Sequence, residues 1–285
     1  MKESTTLPTH QPNPLLILQA SQGWAALQLG EIWRYRELLG FLIWRDIKVR
    51  YKQTVLGILW AILQPVMTMV IFSAFFGELA KVPSDGVPYY LFSYCGLVPW
   101  ALFSGGLSRS VGSLVSNSNL IKKIYFPRLL IPISSVVGGV IDFALAFLVL
   151  IVLLVLGGYF PTLNILWLPY FILLAIVTAL GVGLWLSAMN VQFRDVNYII
   201  PFIVQSWMYI TPIVYPSSLI QNEVLRALYS LNPMVGVVEG FRWALLGIQI
   251  DLGLTVFISS GVALFLLITG LFYFRRMERT FADVI

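Results

Sequence analysis

The positions of the charged residues limit what this chain can fold into. Four stretches, 53–77, 86–108, 196–222 and 252–274, contain no Asp, Glu, Lys or Arg, and the 65 residues of 129–193 contain a single charge. A helix needs about 20 predominantly apolar residues to cross a bilayer, so each of the four stretches is long enough for one crossing and the fifth for two. The stretches are continuously apolar and do not alternate in steps of two, which favours helices over a β-barrel.

The sequence therefore predicts an all-α integral membrane protein with six transmembrane helices. The spans are expected near 56–78, 89–109, 131–156, 165–189, 198–214 and 254–274. They form one transmembrane domain, 53–280, which follows a polar N-terminal tail at 1–30. Because 59% of the residues are apolar and only 11% are charged, an ordinary soluble domain and a disordered chain are both excluded.

The basic residues fall mainly on one side of this topology. Fifteen of the 18 Lys and Arg residues lie before the first span, after the second and fourth spans, or after the last. That side should be cytoplasmic, which places both termini in the cytoplasm. The net charge of +5 then reflects topology and contact with anionic lipids, and it does not indicate nucleic-acid binding.

An amphipathic segment, 31–52, precedes the first span. Trp44, Ile47 and Tyr51 share one face of a helix there, and cationic side chains form a second stripe. This pattern is typical of a helix that lies in the headgroup layer and anchors the chain. A second hypothesis is that its cations also bind an anionic headgroup of a substrate, such as a phosphate or pyrophosphate. The candidates are Arg45, Lys48, Arg50 and Lys52.

The sequence that connects the second and third spans predicts a short helix that ends before Pro127. Its apolar and basic residues would expose more apolar surface than a free loop should, which favours a docking element for a cytoplasmic partner over a solvated loop. On the opposite side, 217–247 predicts two helices broken at 232–233. Each is too short to cross the membrane, so they form an extracytoplasmic re-entrant hairpin in which Glu239 and Arg242 pair.

Asp142 lies near the middle of the predicted third span. An ionisable residue at that depth is costly and needs a partner. No Lys or Arg is expected there, so the carboxyl group should be protonated or hydrogen-bonded to Ser, Gln or Tyr of a neighbouring helix. A structural role and a functional role both remain open for this residue.

The sequence contains no motif for catalysis or for nucleotide binding. It has no Gly-Lys pair, which rules out a P-loop, and it has neither a His-Glu-x-x-His nor a Gly-x-Ser-x-Gly pattern. Cys95 and His10 are the only residues of their types, so a metal site built from His and Cys is not available. We expect no catalytic residue, metal or cofactor in this chain, and another subunit must supply the energy for any work.

Several short segments together resemble one family. They are Arg45–Gln53 with Leu56-Gly57 and Trp60, Leu120–Arg128, Phe193–Asp195, Thr211–Pro216 and Asn232–Met234. In this order on six spans, over about 31–280, they resemble the permeases of bacterial ABC transporters that export polysaccharides, the Wzm-like and teichoic-acid-exporter group of type-2 ABC exporters.

The resemblance implies a homodimer in the bacterial inner membrane, joined to two copies of a cytoplasmic ATPase that binds ATP and Mg. It implies a lipid-linked, O-antigen-like glycan as the substrate. The residues that contact the ATPase would be Asn119, Leu120, Ile121, Lys122, Lys123, Ile124, Tyr125, Phe126, Arg194 and Asp195.

Aromatic residues make up 14% of the chain and are candidates to line a glycan path, since sugar rings stack on aromatic faces. The candidates are Trp60, Phe72, Phe76, Trp100, Phe103, Tyr198, Trp207, Tyr209 and Tyr215. For each one, an ordinary position at the membrane interface or against lipid remains open.

Three other functions also remain open. The same architecture could carry teichoic acid, a drug or another lipid. A proton-coupled secondary transporter would use Asp142 as its proton site, and a membrane-bound glycan transferase would need a catalytic acid or base near the interface.

Overall fold

A computed structural model describes residues 29–52, 57–220, 222–249 and 252–281, and within them all regular secondary structure is helical. The predicted tail at 1–30 lies outside the described residues except for its last two positions. The α-helices are α1 (Leu29–Arg34), α2 (Arg36–Lys52), α3 (Leu59–Phe72), α4 (Tyr89–Ser116), α5 (Ser118–Lys123), α6 (Leu130–Val137), α7 (Val140–Leu156), α8 (Leu168–Gln192), α9 (Val196–Ile210), α10 (Glu223–Tyr229), α11 (Pro233–Leu246) and α12 (Leu252–Glu278). A π-helical segment, Ser73–Leu79, continues α3, and a 3-10 turn, Leu163–Trp167, leads into α8.

Five helical segments of the described chain are long and apolar enough to cross a membrane. They are Leu59–Leu79, Tyr89–Ser116, Leu130–Leu156, Leu163–Gln192 and Leu252–Glu278. The fold is therefore that of an all-α membrane protein, as predicted. The sixth expected span corresponds to α9, which has 15 residues. At 1.5 Å per residue it is about 22 Å long, shorter than the roughly 30 Å of hydrocarbon.

Two boundaries differ from those expected, each for a physical reason. α9 ends at Ile210 because Thr211 precedes a proline and takes an extended conformation. α4 continues to Ser116, seven residues past the predicted end of its span, so that Arg109 lies inside the helix.

α8 lies at the centre of the bundle and packs against both α4 and α12. Small residues allow the α8–α12 contact to be close. A methyl group added at Gly181 would lie 2.7 Å from the backbone nitrogen of Leu267, and one at Gly270 would lie 2.5 Å from the carbonyl oxygen of Gly181. Such close backbone approach is typical of packing between membrane helices.

One end of the bundle, which we call the basic end, holds α1, α2, α5 and the 193–195 loop. A small apolar core joins α2 and α5 to α12, since Leu42 of α2, Ile121 of α5 and Phe274 of α12 pack in one buried cluster, against which Ile32 of α1 also packs. The Asn190 side chain donates to the carbonyl oxygen of Val111 at 3.0 Å, which holds the last turns of α8 and α4 side by side at this end. The segments predicted to face the cytoplasm therefore lie together.

α11 is almost completely enclosed at the opposite end, where it packs against α4, α8 and α12. Its first turn is capped by Asn232, whose side chain accepts a hydrogen bond from the backbone nitrogen of Met234 at 3.1 Å. α10 and α11 are separate short helices in the part of the chain predicted as a hairpin.

Candidate functional site

A cavity of about 700 Å³ lies among α3, α4, α7 and α9, next to the end of α2. Its wall combines the aromatic rings of Trp60 and Trp100 with the amide side chains of Gln64 and Gln205. Amide groups on membrane helices are costly when they face lipid, so their position on a cavity wall provides a polar surface within the bundle.

Only two of the nine aromatic candidates contribute to this wall, Trp60 and Trp100. Trp60 is 53% exposed, whereas Trp100 is largely buried. Phe72 is buried and packs edge-on against Phe76, with ring centroids 5.6 Å apart. Phe103 is fully buried and does not line the described cavity, so a contact with the glycan stays a prediction for this residue.

The remaining four aromatic candidates lie on or beyond α9 and do not line the described cavity. The Trp207 indole packs against Phe103 and donates from Nε1 to the side chain of Asn232 at 2.9 Å. Tyr215 donates to the carbonyl oxygen of Tyr209 at 3.1 Å, which fixes the turn after α9. Tyr198, near the start of α9, is 83% exposed.

A cluster of charged residues forms one end of the cavity. Oδ2 of Asp142 accepts from Nη1 of Arg50 at 2.5 Å and from Nη1 of Arg109 at 3.4 Å, and its other oxygen accepts from the hydroxyl group of Tyr51. The prediction that no arginine lies at the depth of Asp142 is therefore wrong, although the predicted tyrosine partner is present.

The third span is interrupted where this cluster forms. α6 ends at Val137 and α7 begins at Val140, with two glycines between them. The Arg109 guanidinium occupies the space next to Gly139, where a methyl group would collide with its Nη2. Arg109 is not among the predicted site residues, because in the sequence it marks the end of a charge-free run.

The other cationic candidates of α2 have different surroundings. Arg45 donates to Asp46 at 2.7 Å and to the side chain of Asn117, at the end of α4, at 2.8 Å. Arg45 therefore connects α2 to the start of residues 117–129. We call these residues the coupling segment, after the role predicted for them. The side chains of Lys48 and Lys52 are exposed on the surface of α2.

The coupling segment is only partly available for docking. Ile124 and Tyr125 are 57% and 74% exposed, and three neighbours are exposed polar residues, Asn119, Lys122 and Lys123. Ile121 and Phe126 are buried and are not part of the described surface, so their contact with the ATPase stays a prediction. Leu120 is half-buried against the same core.

The C-terminal end of α12 holds the coupling segment from behind. The backbone nitrogen of Arg128 donates to a carboxylate oxygen of Glu278 at 3.1 Å, and its guanidinium donates to the Glu278 carbonyl oxygen. Arg275 pairs with the other carboxylate oxygen at 2.8 Å. Arg194 and Asp195, in the other internal loop at this end, are both exposed.

The predicted ion pair between Glu239 and Arg242 is not formed. The Arg242 guanidinium is directed instead at backbone oxygens, those of Phe92, Pro212 and Ile213, at 2.5 to 3.3 Å. Its Cζ also lies 3.5 Å from the centre of the Phe92 ring. Arg242 therefore joins α11 to α4 and to the turn after α9, because extended backbone in that turn leaves carbonyl oxygens that no helix satisfies.

Glu239 is 1% exposed, and neither of its carboxylate oxygens has a hydrogen-bond partner in the described residues. Burial raises its pKa from 4.5 to about 7, against the opposing effect of nearby arginines. The folded state then binds this proton more tightly than the unfolded state. Stability contributed by the protonated form is fully present below pH 4.5 and is lost as the pH rises towards about 7.

Glu239→Gln is expected to raise the melting temperature at about pH 8 and to leave it nearly unchanged at about pH 4.5, because glutamine has the shape of the neutral acid and carries no charge. Melting of the purified chain in detergent at both pH values measures this difference. Glu37→Gln, at an exposed position on α2, is the control. An equal melting temperature for wild type and Glu239→Gln at about pH 8 would contradict the assignment.

Comparisons with known proteins agree on the kind of protein. The family model described as ABC-2 type transporter matches residues 37–246. An O-antigen export system permease protein of Myxococcus xanthus is 32% identical over 213 residues, which cover 74% of this chain and 81% of that protein. A protein of the same name from Klebsiella pneumoniae is 28% identical over 87% of this chain and 95% of its own length. A polysialic acid transport protein of Escherichia coli is 28% identical over 83% and 92%, respectively.

Proposed function

The chain belongs to the ABC-2 type transporter family, and from this we propose that it is the channel-forming permease of an ATP-driven exporter of a lipid-linked polysaccharide. The observation that carries the proposal is the match over nearly full length to proteins described as O-antigen export permeases and a polysialic acid transport protein. The chain is a transport subunit of the bacterial inner membrane. Its partner is an ABC ATPase subunit, on which ATP and Mg are expected.

Two copies of the chain and two copies of the ATPase would form the complete exporter. α3 and α9, which line the cavity, also expose large apolar side chains, among them Ile71 and Phe202 at 53% and 73% exposure. These helix faces suit either lipid or a second copy, and a second copy would enclose the path for the glycan. The basic end would face the cytoplasm with both termini.

Coupling to the ATPase would use the exposed part of the coupling segment together with the 193–195 loop. An exposed tyrosine beside two lysines offers a large apolar contact with a cationic rim, which is a common composition for an interface centre. Both elements lie at the basic end, so one partner subunit can contact both.

The proposal is tested by deleting the gene for this chain in its own bacterium and probing the cell surface with an antibody to the surface polysaccharide. We expect the surface signal to be lost and a lipid-linked glycan to accumulate inside the cell. Both should be reversed by the intact chain and only when the ATPase gene is also present. A normal surface polysaccharide in the deletion strain, or rescue without the ATPase, would contradict the proposal.

Trp60→Ala is expected to reduce export at least about fivefold while leaving the amount of the permease–ATPase complex unchanged, since loss of an aromatic contact costs about 1 kcal/mol. Surface polysaccharide and co-purified ATPase are the two measurements. Trp167→Ala removes a tryptophan of similar exposure, 55%, that does not line the cavity, and should export normally. Equal export by both variants would show that the cavity is not on the glycan path.

A proton-coupled secondary transporter receives less support from the geometry. Asp142 would be the proton site of such a transporter, yet its carboxylate pairs with both Arg50 and Arg109. Teichoic acid or another lipid remains an alternative cargo for the same architecture.

A further inference from the structure

The charged end of the cavity contains more positive than negative charge. Arg50 and Arg109 face the single carboxylate of Asp142, and all three side chains line the cavity. The undescribed stretch between α2 and α3, 53–56, has no ionisable residue in its sequence. Excess charge in a mostly apolar bundle carries a desolvation cost, which a further anion would reduce.

Arg109 is fixed by its surroundings. Its Nε donates to the carbonyl oxygen of Ser135 at 3.2 Å, and its guanidinium fills the space beside two glycines. A methyl group at Gly105 would lie 3.0 Å from its Nη1, and one at Gly139 would collide with its Nη2. The guanidinium is therefore held in one place before any ligand arrives, which lowers the entropy cost of binding.

Part of each charged side chain remains accessible from the cavity. The side chains of Arg50, Arg109 and Asp142 are 25%, 29% and 27% exposed. The Nη1 atom of Arg109 is 3.4 Å from Asp142, which is a longer contact than a strong charge-assisted hydrogen bond makes. The arginines thus retain capacity to bind another group of oxygen atoms.

The chemistry of the cavity indicates which anion would fit. Guanidinium groups match the oxygen geometry of phosphoryl groups, which carry more charge than the single carboxylate present. The adjoining walls carry apolar side chains, among them Leu97, Trp100 and Met208. A phosphoryl group attached to an apolar chain would use both parts of the cavity.

We propose that Arg50 and Arg109 bind a phosphoryl group at this end of the cavity, and that Asp142 is the internal counter-ion which that group displaces. The inference rests on the proposed function only in treating the phosphoryl compound as part of the cargo. Arg109 sits about 10 Å from the end of α4, seven residues at 1.5 Å each, so the site lies within reach of the headgroup layer at the basic end.

Displacement predicts an unusual sign for one substitution. Because Asp142 competes with the ligand for the two arginines, Asp142→Asn should strengthen phosphoryl binding by about tenfold. Asparagine keeps a hydrogen-bond acceptor for the Tyr51 hydroxyl group, which remains protonated because burial raises the pKa of Tyr51 to about 12. If Asp142 served only to hold the arginines in place, the same substitution would weaken binding.

The test uses the full-length chain in nanodiscs of zwitterionic lipid, without ATP or an ATPase. Binding of geranylgeranyl diphosphate and of inorganic pyrophosphate is measured by titration calorimetry, with geranylgeraniol as the uncharged comparison. Both anions binding equally identifies a free phosphoryl compound as the ligand, whereas a preference for the prenyl compound identifies a lipid headgroup. Either result supports the site, and failure of both anions to bind overturns it.

Arg109→Gln is expected to weaken binding of the diphosphates at least about tenfold. Arg109→Lys should give an intermediate affinity, because lysine keeps the positive charge but lacks the paired donors of the guanidinium group. Arg34→Gln, at an exposed arginine of α1, should bind as wild type does. Unchanged affinity in Arg109→Gln, or weaker binding in Asp142→Asn, overturns the proposal. If Asp142→Asn does not fold, the two Arg109 variants still decide, and wild-type affinity in Arg109→Lys and Arg109→Gln alike overturns the site.

These outcomes are separable from those of the export experiment. Binding is measured without transport, so a protein that binds diphosphate but is dispensable for surface polysaccharide would contradict only the proposed function. A protein that is required for export, yet binds neither diphosphate, would contradict only the phosphoryl site.

Discussion

Arg242→Leu is expected to prevent the chain from folding stably. The side chain is 2% exposed, and its guanidinium donates to three backbone oxygens that belong to Phe92, Pro212 and Ile213. Leucine would leave the oxygens of Pro212 and Ile213, which lie in a turn, without that donor at about 1–3 kcal/mol each, and it would also remove the contacts to Phe92. The total is a large share of the stability of a typical protein, which is about 5–15 kcal/mol.

Thermal unfolding of the purified chain in detergent, followed by tryptophan fluorescence, measures this effect. We expect Arg242→Leu to give little or no monodisperse protein and no cooperative transition. Arg276→Leu removes the same type of side chain from an exposed position of α12 and should melt as wild type does. A cooperative transition at the wild-type temperature in Arg242→Leu would show that other groups satisfy the three oxygens.

Tyr125→Asp is expected to leave the fold intact and Phe126→Asp to destabilise it, although the two residues are adjacent. Tyr125 is 74% exposed, so a charge there should leave the permease folded but remove an apolar contact at the proposed ATPase interface. Phe126 is 5% exposed in the core of the basic end, where an unpaired carboxylate should destabilise the fold by at least about 3–5 kcal/mol.

Two measurements separate these effects. Size-exclusion chromatography of the purified permease reports folding, and co-purification with the ATPase reports docking. We expect Tyr125→Asp to elute as wild type, to lose most of the ATPase and to export no polysaccharide. Ser116→Asp, at an exposed position near the end of α4, is the control for an added charge at this end. Retention of the ATPase and of export by Tyr125→Asp would contradict the docking assignment.

The charge-free runs were sufficient to predict a helical membrane protein, because the cost of placing a charge in hydrocarbon applies to any fold. The same rule misplaced the end of the second span. In the sequence Arg109 marks a boundary, whereas in the structure it lies within α4 and pairs with Asp142 across the bundle. Pairing between distant residues removes the cost on which the rule depends, and a single sequence does not show it.

The exposure of the coupling segment was harder to predict. α5 has only six residues, too few for a hydrophobic period to define its buried face. What buries Ile121 and Phe126 is a core that includes Phe274 and Phe281, far away in sequence. The aromatic candidates show the same limit. Trp60 and Phe103 are both aromatic residues of predicted spans, yet Trp60 is half exposed and Phe103 is fully buried.

The contacts behind the coupling segment have a mechanical consequence. Arg45 of α2 holds one end of that segment through Asn117, and Glu278 of α12 holds the other through Arg128. A displacement of the segment would therefore move α2 and α12 together. Since Arg50 also belongs to α2, the same movement would change its contact with Asp142. A conformational change in the ATPase and the affinity of the proposed anion site would then depend on each other through one rigid helix.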